Sequence, residues 1–291
     1  LPECEIKLDK NGRPVDIRPR DRNTAMSVIE EFMLICNETI AEDFFWRDIP
    51  FVYRNHETPD SEKIKELSGF IYGFGYRLKG SFKEEIHPGA IADLLESVKG
   101  KPEERIISRA ALRSMKQAKY MPQNLGHFGL AAKYYCHFTS PIRRYPDLQI
   151  HRIIKETLDG EMDEKRMGHY ASILPEVCEH SSKTERNAED AEREADRLKQ
   201  VQYMTEHIGE TFSGIVSGVT SFGVFVELPN TVEGLISMES LTDDFYRYDE
   251  KGMCLEGVHT GRKIYPGTKM TVTVKNADIM TRTIDFEETY I

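Results

Sequence analysis

The sequence predicts an α+β chain, mostly helical over residues 1–208 and ending in a small five-stranded β-barrel over residues 209–291. Two observations carry this. Apolar residues recur at helical spacing through most of the first part. After Gly209 the pattern changes to five short alternating runs separated by turn residues, Ser213–Thr220, Gly223–Leu228, Glu233–Ile236, Lys269–Asn276 and Thr283–Phe286, the density expected of a Greek-key barrel. The composition agrees: 291 residues, 39% hydrophobic and 30% charged, suit about two folded domains and exclude a disordered chain.

The elements follow in order. Residues 5–18 alternate on either side of Asn11-Gly12, which predicts a hairpin closed by a type I′ turn. Thr24 is expected to cap a helix to about Phe45. Its stripe of Ile29, Met33, Cys36, Ile40 and Phe44, widened by Val28, Phe32 and Ile35, predicts a core helix. A polar loop, Asn55 to Asp60, precedes a helical segment from Ser61. Gly69 to Gly80 is rich in glycine and aromatic residues, and its Gly73-Phe74-Gly75 lacks the strand and helix that a phosphate loop requires. His87-Pro88 and Lys101-Pro102 punctuate further helices. From Glu103 to Tyr120 the spacing predicts one helix with two faces. Ala111, Leu112, Met115 and Ala118 are apolar, and Arg109, Arg113, Lys116 and Tyr120 form a basic face that either follows a phosphate backbone or is simply solvated. Asp163 to His207 predicts a long charged helix. Ala188, Ala191, Ala195 and Leu198 make a small-residue seam beside an acidic stripe of Glu185, Glu189, Glu192 and Asp196, which by itself reads as a solvated edge.

The net charge of −10 conceals a local excess of the opposite sign. Arg105 to Lys155 holds ten Lys/Arg and one acid, a net +9 that leaves −19 for the rest. Such a basic stretch suits a local polyanion site, or pairing with the chain's own acidic helices. Five widely spaced cysteines argue against a disulfide framework and a CxxC metal site, and point to a reducing, cytoplasmic setting. Cys178 and His180 have no second pair and are expected to be ordinary residues. No run of 18 apolar residues suggests a membrane span. Leu1-Pro2-Glu3-Cys4 reads as interior sequence, so a fragment of a longer polypeptide is expected.

The most informative stretch is His137-Phe138-Thr139-Ser140-Pro141-Ile142-Arg143-Arg144-Tyr145-Pro146-Asp147. Ser140-Pro141 reads as a helix cap followed by a first-turn proline. Two arginines in that turn would add their charge to the helix N-terminus as a phosphate clamp; the alternative is a structural arginine pair in an ion-pair network.

This stretch, with His151-Arg152 after it, resembles the signature of the RNB exoribonucleases, the ribonuclease II and ribonuclease R family. Further blocks resemble its ribonuclease R branch: Glu30-Glu31-Phe32-Met33, Tyr53-Arg54-Asn55-His56, Leu112 to Ala118, Gly126-His127-Phe128-Gly129-Leu130, and Thr184-Glu185-Arg186 through Asp196-Arg197. Gly214-Ile215-Val216, Phe222 to Val226 and Glu233 to Ile236 are similar to the OB-fold RNA-binding domain first named in ribosomal protein S-one. The resemblance implies a processive hydrolase that degrades single-stranded RNA from its 3′ end to nucleoside monophosphates, using Mg²⁺ held by clustered aspartates. It implies that Arg143 neutralises phosphate charge in the transition state. Arg113, Arg144, Tyr145 and Glu192 would line the RNA channel, and Phe222, Phe225 and Lys275 would contact RNA on the barrel, although alternation alone leaves one of the two phenylalanines free to be core. Ser237 stands where that barrel family often has a histidine. The aspartate cluster has no counterpart in residues 1–208, since Asp243-Asp244 and Asp249 fall in the barrel. The resemblance therefore implies the C-terminal part of the catalytic domain plus the barrel, with the Mg²⁺ ligands in a missing N-terminal part of the same polypeptide. An RNA-binding fragment without catalysis is the alternative. An inactive interaction protein is a third reading, against which the retained Arg143 argues.

Overall fold

A computed structural model of the protein describes residues 4–20, 23–78, 86–101, 103–250, 252 and 254–290. Leu1 to Glu3, Gly80 and Pro102, which entered the sequence reading, lie outside them. The chain forms two compact units. One comprises Leu1–Asp21 with Asp190–Ile291, and the other Arg22–Glu189.

The chain opens on an antiparallel hairpin of β1 (Cys4–Leu8) and β2 (Pro14–Pro19). Its turn is not the two-residue type I′ expected. Only Gly12 takes a positive φ, of 77°, and the Asp9 carboxylate accepts the N–H groups of Asn11 and Arg13, each at 2.8 Å. An aspartate two residues before Asn11 thus builds a longer, side-chain-bonded turn.

In the second unit α1 (Thr24–Trp46) is capped by Asn23, whose Oδ1 accepts from Met26 N, one residue earlier than expected. The expected core stripe divides. Ala41 and Phe44 are buried near the C-terminus, whereas Val28, Ile29, Met33 and especially Phe32 and Ile35 (68% and 65% exposed) are open. Periodicity identified an apolar helix surface, but not what lies against it.

The strand β3 (Tyr53–Asn55) precedes α2 (Ser61–Tyr72), α3 (Pro88–Val98) and α4 (Glu104–Ser114). These three helices share a core of Ile64, Leu67, Ile71, Ile91, Leu94, Val98 and Ile107. α4 ends at Ser114, six residues before Tyr120. The chain then becomes β4 (Lys119–Met121), antiparallel to β3, with Arg54 opposite Tyr120. The expected basic face is therefore broken. Tyr120 is buried, and Lys116 pairs with Glu57 and Asp60. Pairing with β3 competes successfully with helix continuation, a non-local gain that spacing cannot register.

Next come α5 (Tyr145–Leu158) and the long α6 (Glu164–Thr205). The core between α1, α5 and α6 contains Phe44, Phe51, Tyr53, Ile150, Ile153, Tyr170 and Leu174. Ala188, Ala191 and Ala195 do not form a packed seam; all three are exposed.

The barrel strands are β5 (Thr211–Thr220), β6 (Gly223–Glu227), β7 (Glu233–Ser237), β11 (Lys269–Asp278) and β12 (Thr283–Glu288), closed in the order β11-β12-β7-β6-β5. All five expected strands are present. Alternate residues Val224, Val226, Val272, Val274, Ile284 and Phe286 fill the interior, joined by Ile17 of the hairpin and by Val201 and Met204 of α6. Gly234 is required by Phe286: a Cβ there would lie 2.5 Å from the ring. Between β7 and β11 the chain adds an unexpected sheet of β8 (Tyr246–Asp249), β9 (Cys254–Gly257) and β10 (Lys263–Ile264). Strands this short carry almost no periodic signal. The Asp244 carboxylate pins the connection by accepting Thr260 N at 2.7 Å and Thr260 Oγ1 at 2.6 Å.

Phe286 is fully buried in this small core. Phe286→Ala is expected to lower the unfolding free energy by about 3–5 kcal/mol, checked by chemical denaturation followed through β-sheet circular dichroism.

Candidate active site

The segment from Tyr134 to Arg144 runs across the second unit without regular structure, so its polar backbone groups need side-chain partners. α1 supplies one. Asn37, buried on that helix, accepts Phe138 N–H at 2.9 Å through Oδ1 and donates to Tyr135 Oη at 3.2 Å through Nδ2. α5 supplies another. The His151 ring stacks on Phe138 at 4.3 Å with its plane tilted 8°, and its Nε2–H donates to Phe138 O at 2.9 Å.

Beyond Phe138 the chain forms a turn over Pro141–Arg143. The helix expected from Ser140-Pro141 begins only at Tyr145, with Arg144 in the cap position and Pro146 in the first turn. The two arginines therefore precede the helix and diverge. Arg143 is exposed, and no other described residue pairs with its guanidinium. Arg144 turns inward, and its Nη2 lies 2.7 Å from Oδ1 of the fully buried Asp147. Tyr145 is exposed on the first turn. The Arg152 guanidinium lies 5.8 Å from its ring centre, and Arg152 Nη1 donates to its hydroxyl at 3.5 Å. Arg143 thus precedes a helix whose first two turns expose Tyr145 and the Arg152 cation beside it.

Beneath the turn lies a buried polar cluster. His137 Nδ1 and Tyr120 Oη share a hydrogen bond of 2.8 Å. Arg54 stacks on the Tyr120 ring at 4.6 Å and pairs with Glu185 at 2.5 Å, so this acid of the α6 stripe is not solvated. Ser182 Oγ accepts Tyr120 N–H at 2.9 Å. Burial and the guanidiniums of Arg144 and Arg54 hold His137 down to about 2. Burial, with His56 beside it, holds His127 at about 4. Both rings are neutral at physiological pH.

Arg113 lies on the last turn of α4, exposed and unpaired among the described residues. The other candidates belong to the first unit. Glu192 is exposed on α6, and together with burial its charge raises the carboxyl of Asp196. On the barrel, Phe222 is 56% exposed and Phe225 half-buried, with ring centres 6.0 Å apart and planes at 89°. Neither belongs to the core. Lys275 Nζ lies 3.4 Å from Ser240 Oγ, and Ser237 Oγ 2.9 Å from the same hydroxyl, so these residues share one face. Among the described residues no three His, Cys, Asp or Glu side chains converge as metal ligands. The Cys178 thiol is buried and pushed up to about 12.

Sequence reasoning missed the supports of this site. Asn37 was visible as an amide inside an apolar helix stripe, and Asp147 as the single acid in the basic segment. Nothing local marked the pairing of Arg54 with Glu185, 131 residues apart.

The sequence and the fold are similar to those of known proteins. The RNB domain family matches residues 1–160, and the S1 RNA binding domain family matches residues 206–287. The chain is 42% identical over 285 residues to ribonuclease R 1 of Lactococcus lactis, covering 98% of this chain and 35% of that protein. It is 43% identical to ribonuclease R of Thermotoga maritima, covering 98% of this chain and 40% of that protein. The structure of Mycoplasma genitalium RNase R in complex with ribose methylated single-stranded RNA superposes with a TM-score of 0.93 at 28% identity, over 99% of this chain and 45% of that one. The fold is thus an RNB region followed by an S1-type barrel. The chain belongs to the RNB family and spans less than half the length of these relatives.

The two depressed histidines set a pH dependence. Unfolded, they titrate near 6.5; folded, far lower. Below about 6.5 the unfolded chain binds more protons, so stability is complete above that pH and falls as the pH drops towards 4. Denaturation midpoints measured between pH 7.5 and 4.5 should show this decline, and His137→Gln should flatten it.

Proposed function

We propose that this chain is the C-terminal portion of a ribonuclease R-type processive 3′→5′ exoribonuclease, which hydrolyses single-stranded RNA to nucleoside monophosphates. The observation that carries this reading is Arg143: an exposed guanidinium without an internal partner, held on a turn braced by Asn37, His151 and Asp147. A cation aimed outwards from a braced turn suits charge that develops on a phosphate during attack. Tyr145 offers a stacking face beside it, Arg113 supplies basic charge to the RNA, and Glu192 meets RNA from α6, whereas the charge of Arg144 is taken up by Asp147. On the barrel, Phe222 and Phe225 stack on bases while Lys275 meets a phosphate.

Mg²⁺ would supply the water activation of the reaction. The described residues do not gather ligands for it, and we place those aspartates in another part of the polypeptide. The open face of α1, with Phe32 and Ile35, is then the surface on which that part packs, consistent with relatives more than twice this length. Five free cysteines and no helix among the described residues long and apolar enough to cross a membrane suit a cytoplasmic enzyme.

A second reading, an RNA-binding chain without catalysis, is favoured by the same lack of gathered ligands. Two measurements separate the readings. In the full-length protein Arg143→Ala should cut single-turnover RNA hydrolysis at least 100-fold while raising the RNA Kd less than fivefold; equal losses would mean that Arg143 only binds. For this chain, Phe222→Ala should weaken single-stranded RNA binding by about 1–3 kcal/mol, read by fluorescence anisotropy, and wild-type affinity should fall steeply with salt.

A further inference from the structure

The turn that carries Arg143 is gripped at a single residue, Ser140. Ser140 O accepts Arg143 N–H at 3.3 Å and Arg144 N–H at 3.0 Å. Ser140 N–H donates to Asp147 Oδ1 at 2.8 Å, and the same oxygen takes Arg144 Nη2 at 2.7 Å. Asp147 reaches back from the first turn of α5, so the carboxylate ties both ends of the turn to the helix. It is wholly buried, and its Oδ2 has no hydrogen bond from any described residue. A neutral amide oxygen would serve Ser140 N–H as well. Burying a carboxylate is costly unless a cation compensates it, and the cation supplied is Arg144, whose side chain is only 20% exposed. The charge on Asp147 therefore has one purpose visible in the geometry, which is to draw Arg144 inward and so turn the adjacent residue outward.

We infer that Asp147 is a positioning residue that acts through Arg143, and that Arg144 is its buried counter-ion, not an RNA contact. The inference rests on the reading of Arg143 as the transition-state cation. Arg143 and Arg144 then have opposite tasks although they are adjacent and chemically identical. One is held in so that the other is held out.

The test uses the full-length protein and a single-stranded RNA oligonucleotide. Asp147→Asn keeps the acceptor for Ser140 N–H and removes the charge. It should slow single-turnover hydrolysis at least tenfold and change the RNA Kd less than threefold. In an Arg143→Ala background the same substitution should have no further effect on the rate, because a positioning residue has nothing left to position. Arg144→Met, made in case Asp147→Asn fails to fold, should reproduce the slow rate with unchanged Kd and an unchanged salt slope. A raised Kd with a salt slope reduced by about one would assign Arg144 to phosphate and overturn the inference. Additive losses in the double variant would also overturn it, by reducing Asp147 to general stability. Amide hydrogen exchange supplies a readout independent of catalysis: Asp147→Asn should speed exchange at residues 140–144 and leave Ile150 and Ile153 protected. Unchanged exchange at 140–144 overturns the inference whatever the activity. If Arg143→Ala leaves turnover intact while exchange responds as expected, the proposed function fails and Asp147 is left as a turn lock without a catalytic role, which refutes this inference in its catalytic part.

Discussion

The second unit is organised around charges that have been taken out of water. Arg54 and Arg144 both approach His137, and each carries its own carboxylate, Glu185 from α6 and Asp147 from α5. Burial above all, and then these guanidinium charges, keep the imidazole neutral, and a neutral ring can share a hydrogen bond with Tyr120. Removing either acid would leave an uncompensated cation beneath the turn. The first pair ties β3 to α6, and the second ties the turn before α5 to that helix, under the requirement that no buried charge stand alone.

This constraint explains the divergence of Arg143 and Arg144. The segment before α5 has no regular hydrogen-bonding pattern, and side chains supply what the backbone lacks: Asn37 to Phe138 N–H, Phe138 O to His151, and Asp147 to Ser140 N–H. A turn held at this many points has little freedom. The backbone that presents the exposed Arg143 is thereby held in place. The barrel uses a simpler device. Its buried core is apolar, and Phe222, Phe225 and Lys275 lie outside it.

The sequence reading was most accurate where structure is local and periodic. The five barrel strands alternate cleanly because one face of each is buried, and α6 extends over 42 residues much as its pattern indicated. It went astray where a distant segment supplied the deciding energy. α4 stops at Ser114 because residues 119–121 find a strand partner in residues 53–55. The helix expected from Ser140 starts at Tyr145 because the Asp147 carboxylate and the Ser140 carbonyl close a turn first.

Residue types and their order alone determined the family signature, the barrel, the hairpin, and the concentration of basic residues between Arg105 and Lys155. They also determined that Arg143, Arg144 and Tyr145 would lie together. Only the tertiary structure decided which arginine faces outwards, since that depends on a buried acid and on the polar cluster packed beneath it. It likewise showed the N-terminal face of α1 to be open, because hydrophobic spacing describes a surface that needs covering and contains no record of what covers it.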